Sequence, residues 1–398
     1  MCKLLIKTIK AYASFFTLLC TLVALPTHAG WYQATGVANI YKGDIDKARK
    51  AAIKDAVRDA LLFSGAAVTS AQQVTNGLLT QDMFEVRASG VVNDIELISE
   101  KIQGDEIKIV LRADIFAEER QCSSADYRKP LSVAQFKLKN QYQAKVGELY
   151  DLDKAIGQRL FKLLKSDSQE VEARTYIDHK MALASQDLMK RTENSTQLLS
   201  LANQSDTQYL ITASLDDISI DNEHPSFWQT PTRFFEMNVF VYNTFSGENI
   251  AQFEYASEAE WDFDLKKQVD LQSRRFWQSN YGQMVAEQIN RAFSDIENLM
   301  HCQSVEAKIV SVDGYQLGLN LGKNNGIKTG DKFRILHQSS FIDKQGRARP
   351  QFIISPYEVE VTQAYQQNSF AKTPTERLLG SVQVGDIIRQ SEFALDIQ

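Results

Sequence analysis

Side chains able to do chemistry are sparse and scattered along this chain. Beyond the first thirty residues it keeps four histidines, His179, His224, His301 and His337. None has a second histidine at ligand spacing, so a zinc site would need ligands converging from distant segments. Asp178-His179 has the composition of a general base pair, but the same dipeptide reads as the solvated start of a helix. Asp216-Asp217 with Asp221 could supply oxygens to calcium, yet the twelve-residue loop with its central glycine is missing. Asp151/Asp153 and Asp262/Asp264 are paired carboxylates, as a glycosidase requires. Their settings fit helix caps and strand exteriors better. Gly-x-Ser-x-Gly, His-Glu-x-x-His and Cys-x-x-Cys are all absent, as is a glycine-rich phosphate loop. The expectation is a protein that is not an enzyme and that carries no cofactor and no metal.

Binding chemistry is better represented. The run Asn222-Glu223-His224-Pro225-Ser226-Phe227-Trp228-Gln229-Thr230-Pro231 joins two large rings to two prolines. The prolines reduce the entropy lost on ordering the loop, and tryptophan is a frequent interface anchor. Phe227 and Trp228 are therefore the candidate interface residues. The alternative is that both rings fold back to cover a sheet.

The first 29 residues read as a cleavable secretory signal. Lys3, Lys7 and Lys10 form its positive start, Ala11 to Leu25 its apolar stretch, and Thr27-His28-Ala29 a small-residue cleavage site. The whole chain of 398 residues has a formal net charge of -6, and losing three lysines takes it to -9. That acidity argues against nucleic acid as a partner. No later run is apolar enough to span a membrane. Cleavage also removes Cys2 and Cys20, leaving Cys122 and Cys302. An oxidising compartment such as the periplasm favours pairing them. Such a disulfide would staple the middle domain, whose two ends they flank, and two separate buried thiols are the alternative.

With 398 residues, 43% hydrophobic and 24% charged, the chain is long enough for two or three ordinary globular domains. Its patterning divides it into the signal (1–29), a small α+β domain (30–120), a middle α/β domain (121–303) and a C-terminal β-barrel (304–398). In the first domain a strand over 31–40 precedes a helix over 44–64 with an alanine stripe, Ala48, Ala52, Ala56 and Ala60. Small residues on a buried stripe imply close approach to a sheet. Strands near 91–101 and 106–116 follow, with a short helix expected over 80–86, and 120–130 reads as a linker. The middle domain reads β-α-β-α-β, then a hairpin, then a long helix over 281–300. Its elements include a helix over 151–164 with Asp151 as N-cap, a helix over 195–203, and strands over 133–138, 171–177 and 209–218. The last domain is nearly all strand. Two glycine-containing stretches there end in Gly330-Asp331 and Gly385-Asp386 before β runs, which are turn signals. Residues 338–350 read as a mobile insertion.

Gly36-Val37-Ala38, the helix Asp46-Lys47-Ala48-Arg49-Lys50-Ala51-Ala52-Ile53-Lys54-Asp55-Ala56 and Ala60-Leu61-Leu62 resemble the N-terminal domain of the flagellar assembly protein T family. The likeness runs in order through the mature chain. It implies a middle domain similar to the N-terminal domain of the translocation protein TolB, followed by a small SH3-like barrel. It also implies a periplasmic structural protein of the flagellar basal body. Such a protein builds the H ring around the LP ring and supports assembly of the T ring and the stators. Its partners would be the LP ring, the T-ring motor proteins and outer-membrane-associated flagellar lipoproteins. The family brings no catalytic residues with it. A TolB-like periplasmic adaptor unconnected with flagella is the alternative.

Overall fold

A computed structural model describes residues 29–40, 44–64, 92–116, 127–180, 204–221, 230–301, 303–343, 346, 348–373 and 382–390. The chain forms two compact units. Of the described residues, the first holds those up to Phe116 and those within 341–351, and the second holds those within 127–340 and 352–390.

In the first unit, β1 (Ala29–Asn39) and β2 (Val92–Gln103) flank β3 (Glu106–Phe116), and both pair with it antiparallel. The β2–β3 turn uses Gly104 at φ +62, where glycine avoids the Cβ clash. Helix α1 (Ile45–Ser64) lies on this sheet and buries Ala48, Ala52, Ala56 and Ala60. The reason for the alanines is visible at Gly36. A Cβ built there would lie 1.9 Å from the Ala52 carbonyl oxygen and 2.6 Å from the Ala56 nitrogen. Helix and strand backbones thus meet with no side chain between them. Arg49 on α1 reaches β2 and donates to Glu100 at 2.8 and 2.9 Å. The segment 341–351 completes the unit: the strand starting at Ala348 is hydrogen-bonded to β1, and the Phe341 ring meets Trp31 edge-on at 5.3 Å.

The second unit begins with a five-stranded mixed sheet. Strand β4 (Lys129–Gln135) is parallel to β6 (Val171–Lys180) on one side and to β7 (Tyr209–Asp217) on the other. Strands β9 (Thr232–Asn243) and β10 (Glu248–Glu260) continue it antiparallel, in the order β10-β9-β7-β4-β6. Two-residue strands β5 (Lys137–Leu138) and β8 (Ile220–Asp221) extend the β7 and β9 pairings. All seven residues of β4 are buried, as befits a central strand with neighbours on both edges. Helices α2 (Leu152–Asp167) and α4 (Asn280–His301) pack on the sheet and on each other, and a short α3 (Arg274–Gln278) precedes α4. Helix α4 buries Met284, Val285, Gln288, Ile289, Ala292 and Ile296 on one stripe, and each large aliphatic group there contributes about 1.5–3 kcal/mol.

The rest of this unit is a closed antiparallel barrel. Its strands are β11 (Glu306–Asp313), β12 (Gln316–Leu319), β13 (Lys332–Ile342), β14 (Ala348–Ala364), β15 (Ser369–Lys372) and β16 (Ile387–Gln390). They run in the circuit β13-β16-β11-β12-β15-β14 and back to β13, so no barrel strand keeps an open edge. The two Gly-Asp turns are built alike. Gly330 and Gly385 take φ +95 and +99. Asp331 and Asp386 each accept, at 2.8 Å, from the backbone N–H three residues back, of Lys328 and Gln383.

Within the second unit a polar seam ties the barrel to the α/β sheet. Arg174 on β6 donates to the Asn320 carbonyl at 3.0 Å, to Asn325 Oδ1 at 3.1 Å and to the Asp206 carbonyl at 2.7 Å. Asn325, fully buried, donates to Glu172 at 2.7 Å and to the Arg128 carbonyl at 3.0 Å. Gln208 accepts from the Glu306 N–H at 2.9 Å and donates to the Ser304 carbonyl at 3.0 Å.

Several sequence expectations change here. Residues 338–350 are not a free insertion: they carry the end of β13 and the start of β14. The linker expected over 120–130 ends inside structure, because Lys129 and Pro130 open β4 and Tyr127 joins the barrel core. Asp178 and His179 stand at the end of strand β6 and start no helix. Asp151 occupies the N-cap position of α2 but makes no side-chain cap bond. Its neighbour Asp153, fully buried, accepts from the Leu138 N–H at 3.1 Å instead. The helices expected over 80–86 and 195–203 lie outside the described residues.

Candidate functional site

In open α/β sheets, binding crevices form beyond the carboxyl ends of the parallel strands, where the chain path reverses direction across the sheet. Here β4 is that place, since β6 lies on one side of it and β7 on the other. The aromatic segment 222–229 departs from this edge, between β8 and β9. Phe227 and Trp228 themselves lie outside the described residues, as do Cys122 and Cys302. The described residues define the two strand ends that flank this segment and the side chains around them.

Arg233, one residue into β9, is the hub of the platform they form. Its side chain is fully buried. It donates to three backbone carbonyls: Ile218 at 3.0 Å, Val146 at 2.9 Å and Gln143 at 2.8 Å. One guanidinium thereby joins the turn after β7 to the segment after β5, using the fork geometry that lysine lacks. It also lies over the Trp261 ring at 4.5 Å and the Tyr281 ring at 5.6 Å, a cation–π arrangement. Burial pushes its pKa below the usual arginine value, with Tyr281 opposing that shift. Burial raises the Tyr281 hydroxyl well above its ordinary range, against the pull of Arg233.

The rings continue outward. Trp261 contacts Phe263 at 5.0 Å and Tyr281 at 5.6 Å, and Phe276 meets Trp277 edge-on at 5.1 Å. Gly147, at φ +81, makes room for this cluster, because a Cβ there would come within 2.8 Å of the Trp261 ring. The strand after segment 222–229 is held by the backbone N–H of Trp261, which donates to the Pro231 carbonyl at 2.7 Å, and by the Tyr281 hydroxyl, which donates to the Phe234 carbonyl at 3.2 Å. Ahead of the segment, Asp217 accepts from Gln143 and from the Ser219 N–H, each at 2.8 Å.

The carboxylates considered for catalysis are engaged in structure. Asp216 accepts from Lys139 at 2.7 Å, from Ser214 at 2.5 Å and from Asn238 at 3.3 Å. Asp262 accepts from the backbone and side chain of Asn280 at the start of α4, at 2.6 and 2.9 Å. Asp178 pairs with Lys154 at 2.8 Å. His301 sits 2.9 Å from Glu170 and His337 sits 2.7 Å from Asp386, in separate places. Among the described residues no group of three or more His, Cys, Asp or Glu side chains could hold a metal ion. No helix among them is long and apolar enough to cross a membrane. Sequence reasoning missed Arg233, Trp261 and Tyr281. Arg233 is a lone charge just after the aromatic run, and nothing in its neighbours signals burial.

What the fold defines is a multidomain α+β scaffold: an alanine-packed α+β unit, and an α/β sheet joined to a closed barrel. Family models of the N-terminal, middle and C-terminal domains of flagellar assembly protein T match residues 30–117, 120–271 and 314–390. The chain belongs to the flagellar assembly protein T family, a structural assembly family rather than an enzyme family. No curated protein matches the chain. Among solved structures it is similar to a hypothetical protein, CT253, from Chlamydia trachomatis. That match has 14% identity and a TM-score of 0.32, covering 44% of this chain and 98% of the other. It is also similar to the PelC dodecamer from Paraburkholderia phytofirmans, at 6% identity and TM-score 0.27, over 53% of this chain and 98% of the other.

Proposed function

We propose that this chain is a periplasmic structural component of the flagellar basal body. It builds the H ring around the LP ring and supports assembly of the T ring and the stators. The observation that carries this reading is the match of three flagellar assembly domains, in order, along one chain. The signal ending at Ala29 would deliver the protein to the periplasm. The boundaries 30–120, 121–303 and 304–398, with a TolB-like middle domain and an SH3-like barrel, belong to the same reading. Electron microscopy of basal bodies from a deletion strain tests it. Loss of an outer periplasmic ring with LP rings retained is the expected result, and an unchanged basal body overturns it.

The first domain then serves attachment to the basal body, and the middle domain serves the stator-linked ring through Phe227 and Trp228. The Arg233 platform supports that assignment, because a rigid base reduces the ordering entropy lost when a loop binds. Trp228→Ala should reduce swimming more than it reduces the number of flagella. A variant that swims at the wild-type rate would remove the loop from the interface. Cys122 and Cys302 form one disulfide in this reading, closing the ends of the middle domain. Thiol titration of the denatured, unreduced protein should find none free, and two free thiols end the pairing.

A further inference from the structure

The first unit is not built from one stretch of chain: its described residues come from 29–116 and, far downstream, from 341–351. That second segment is the tip of the β13–β14 hairpin. Besides the pairing of the strand starting at Ala348 with β1, it enters the unit through one ring. Phe341 has Trp31 edge-on on one side, at 5.3 Å. It also has Arg112 against it, with the guanidinium carbon 3.5 Å from the ring centre. Arg112 is in turn held by Glu96 on β2 at 3.6 Å. The tip carries its own fixings: Arg349 donates to Asp343 at 2.9 Å across the turn, and Gly346 takes φ +78.

Arg112 Nε and Gln351 Oε1, buried in the same unit, make no hydrogen bond. Water would satisfy both if the tip lifted off, so opening recovers part of what closure gives.

We infer that the Trp31–Arg112 surface of the first unit is an acceptor for an aromatic strand tip, filled within one molecule by its own 341–351 and, where copies are packed together, by the 341–351 tip of a second copy. A surface that fits a segment of its own chain fits the same segment of an identical chain with identical contacts. Only effective concentration and hinge strain decide between them. In dilute solution the tethered tip wins, because its effective concentration is about millimolar. In an assembly a neighbour's tip competes on equal terms. Each copy gives one tip and receives one, and such a head-to-tail contact closes rings when the rotation allows. The inference rests on the proposed ring reading, since only an assembly supplies close neighbours.

Hydrogen exchange of the full-length chain, read by mass spectrometry, tests it. In Phe341→Ala, which keeps an empty acceptor, amides in 29–39 should exchange about tenfold faster or more. Strand 92–103 should keep its wild-type rate. A Trp31→Ala chain, which keeps an intact tip, is then added. The two chains are read separately, because the acceptor peptide retains the mass of Trp31. Protection of that peptide should return as the donor approaches about millimolar, the concentration it must match. A Trp31→Ala/Phe341→Ala donor should restore nothing. Arg112→Ala serves as a second donor if the melting curve shows that Trp31→Ala is misfolded. The inference is overturned by an acceptor left unprotected at the highest concentration of a folded donor. It is equally overturned by Phe341→Ala exchanging like the wild type, or by exchange rising uniformly across the unit, which makes the tip a core element. Absence of the protein from basal bodies would sink the ring reading and leave these exchange results unaffected.

Discussion

Arg233→Ala is expected to destabilise the α/β part of the second unit by about 3–5 kcal/mol, close to the effect of breaking a buried ionic network. The wild-type side chain is fully buried and donates to the carbonyls of Gln143, Val146 and Ile218. Alanine leaves all three without that donor, at about 1–3 kcal/mol for each that water cannot reach. It also empties the volume beneath Trp261 and Tyr281. Opposing this is the release of a desolvated charge, which is why the total stays below the sum of the parts. Arg233→Met separates the effects, since it refills the space and restores no donor. Urea unfolding followed by circular dichroism should place Met near Ala. A Met variant within about 1 kcal/mol of wild type would show that packing, not the guanidinium fork, holds the platform. Because the strand ends flanking segment 222–229 rest on this hub, the Arg233 variants should also match or exceed the motility defect of Trp228→Ala.

Gly36→Ala should act as strongly on the other unit. The added carbon would stand 1.9 Å from one backbone atom of α1 and 2.6 Å from another, far inside any real contact. A flexible side chain could turn aside, but the Ala52 carbonyl and the Ala56 amide belong to the helix itself. Either α1 lifts from β1, exposing the buried faces of Ala52 and Ala56, or the strand bows away from β3. Overpacking of this kind costs about 3 kcal/mol or more when the neighbour cannot yield. The measurement is peptide-resolved hydrogen exchange, with protection lost over 45–64 and kept in the barrel. Gly314→Ala is the comparison: nothing lies within 4 Å of its added Cβ, and only its φ of +61 opposes the change, at roughly 1 kcal/mol. If Gly36→Ala exchanges like the wild type, the close helix–strand approach is wrong.

The alanine stripe of α1 shows how far one-dimensional pattern reaches. Alanines at steps of three and four can only mean a helix with something close against it, and the four named stripe residues are buried. The same holds for α4, whose apolar period marks its buried face, and for the Gly-Asp turns, whose chemistry is local. Periodicity and turn chemistry are properties of neighbours in sequence, so they survive without a fold. Residues 338–350 fail that test. Their polar composition matches an insertion, yet they form strand ends because partners far away in the chain accept their hydrogen bonds.

What the amino-acid order determined by itself was most of the described helices and strands, the Gly-Asp turns, and the scarcity of catalytic motifs. The resemblance to flagellar assembly protein T also rested on residues in sequence. Which side chains support the candidate site was decided only in three dimensions. Arg233 is one charged residue at the start of a strand, and it becomes a buried hub because Gln143, Val146 and Ile218 converge on it from separate segments. Phe341 likewise belongs by sequence to the barrel and by packing to the first unit, beside Trp31 and Arg112. Burial of a charge, and capture of a ring by a distant strand, depend on where unrelated segments meet, and that meeting leaves no local mark in the sequence.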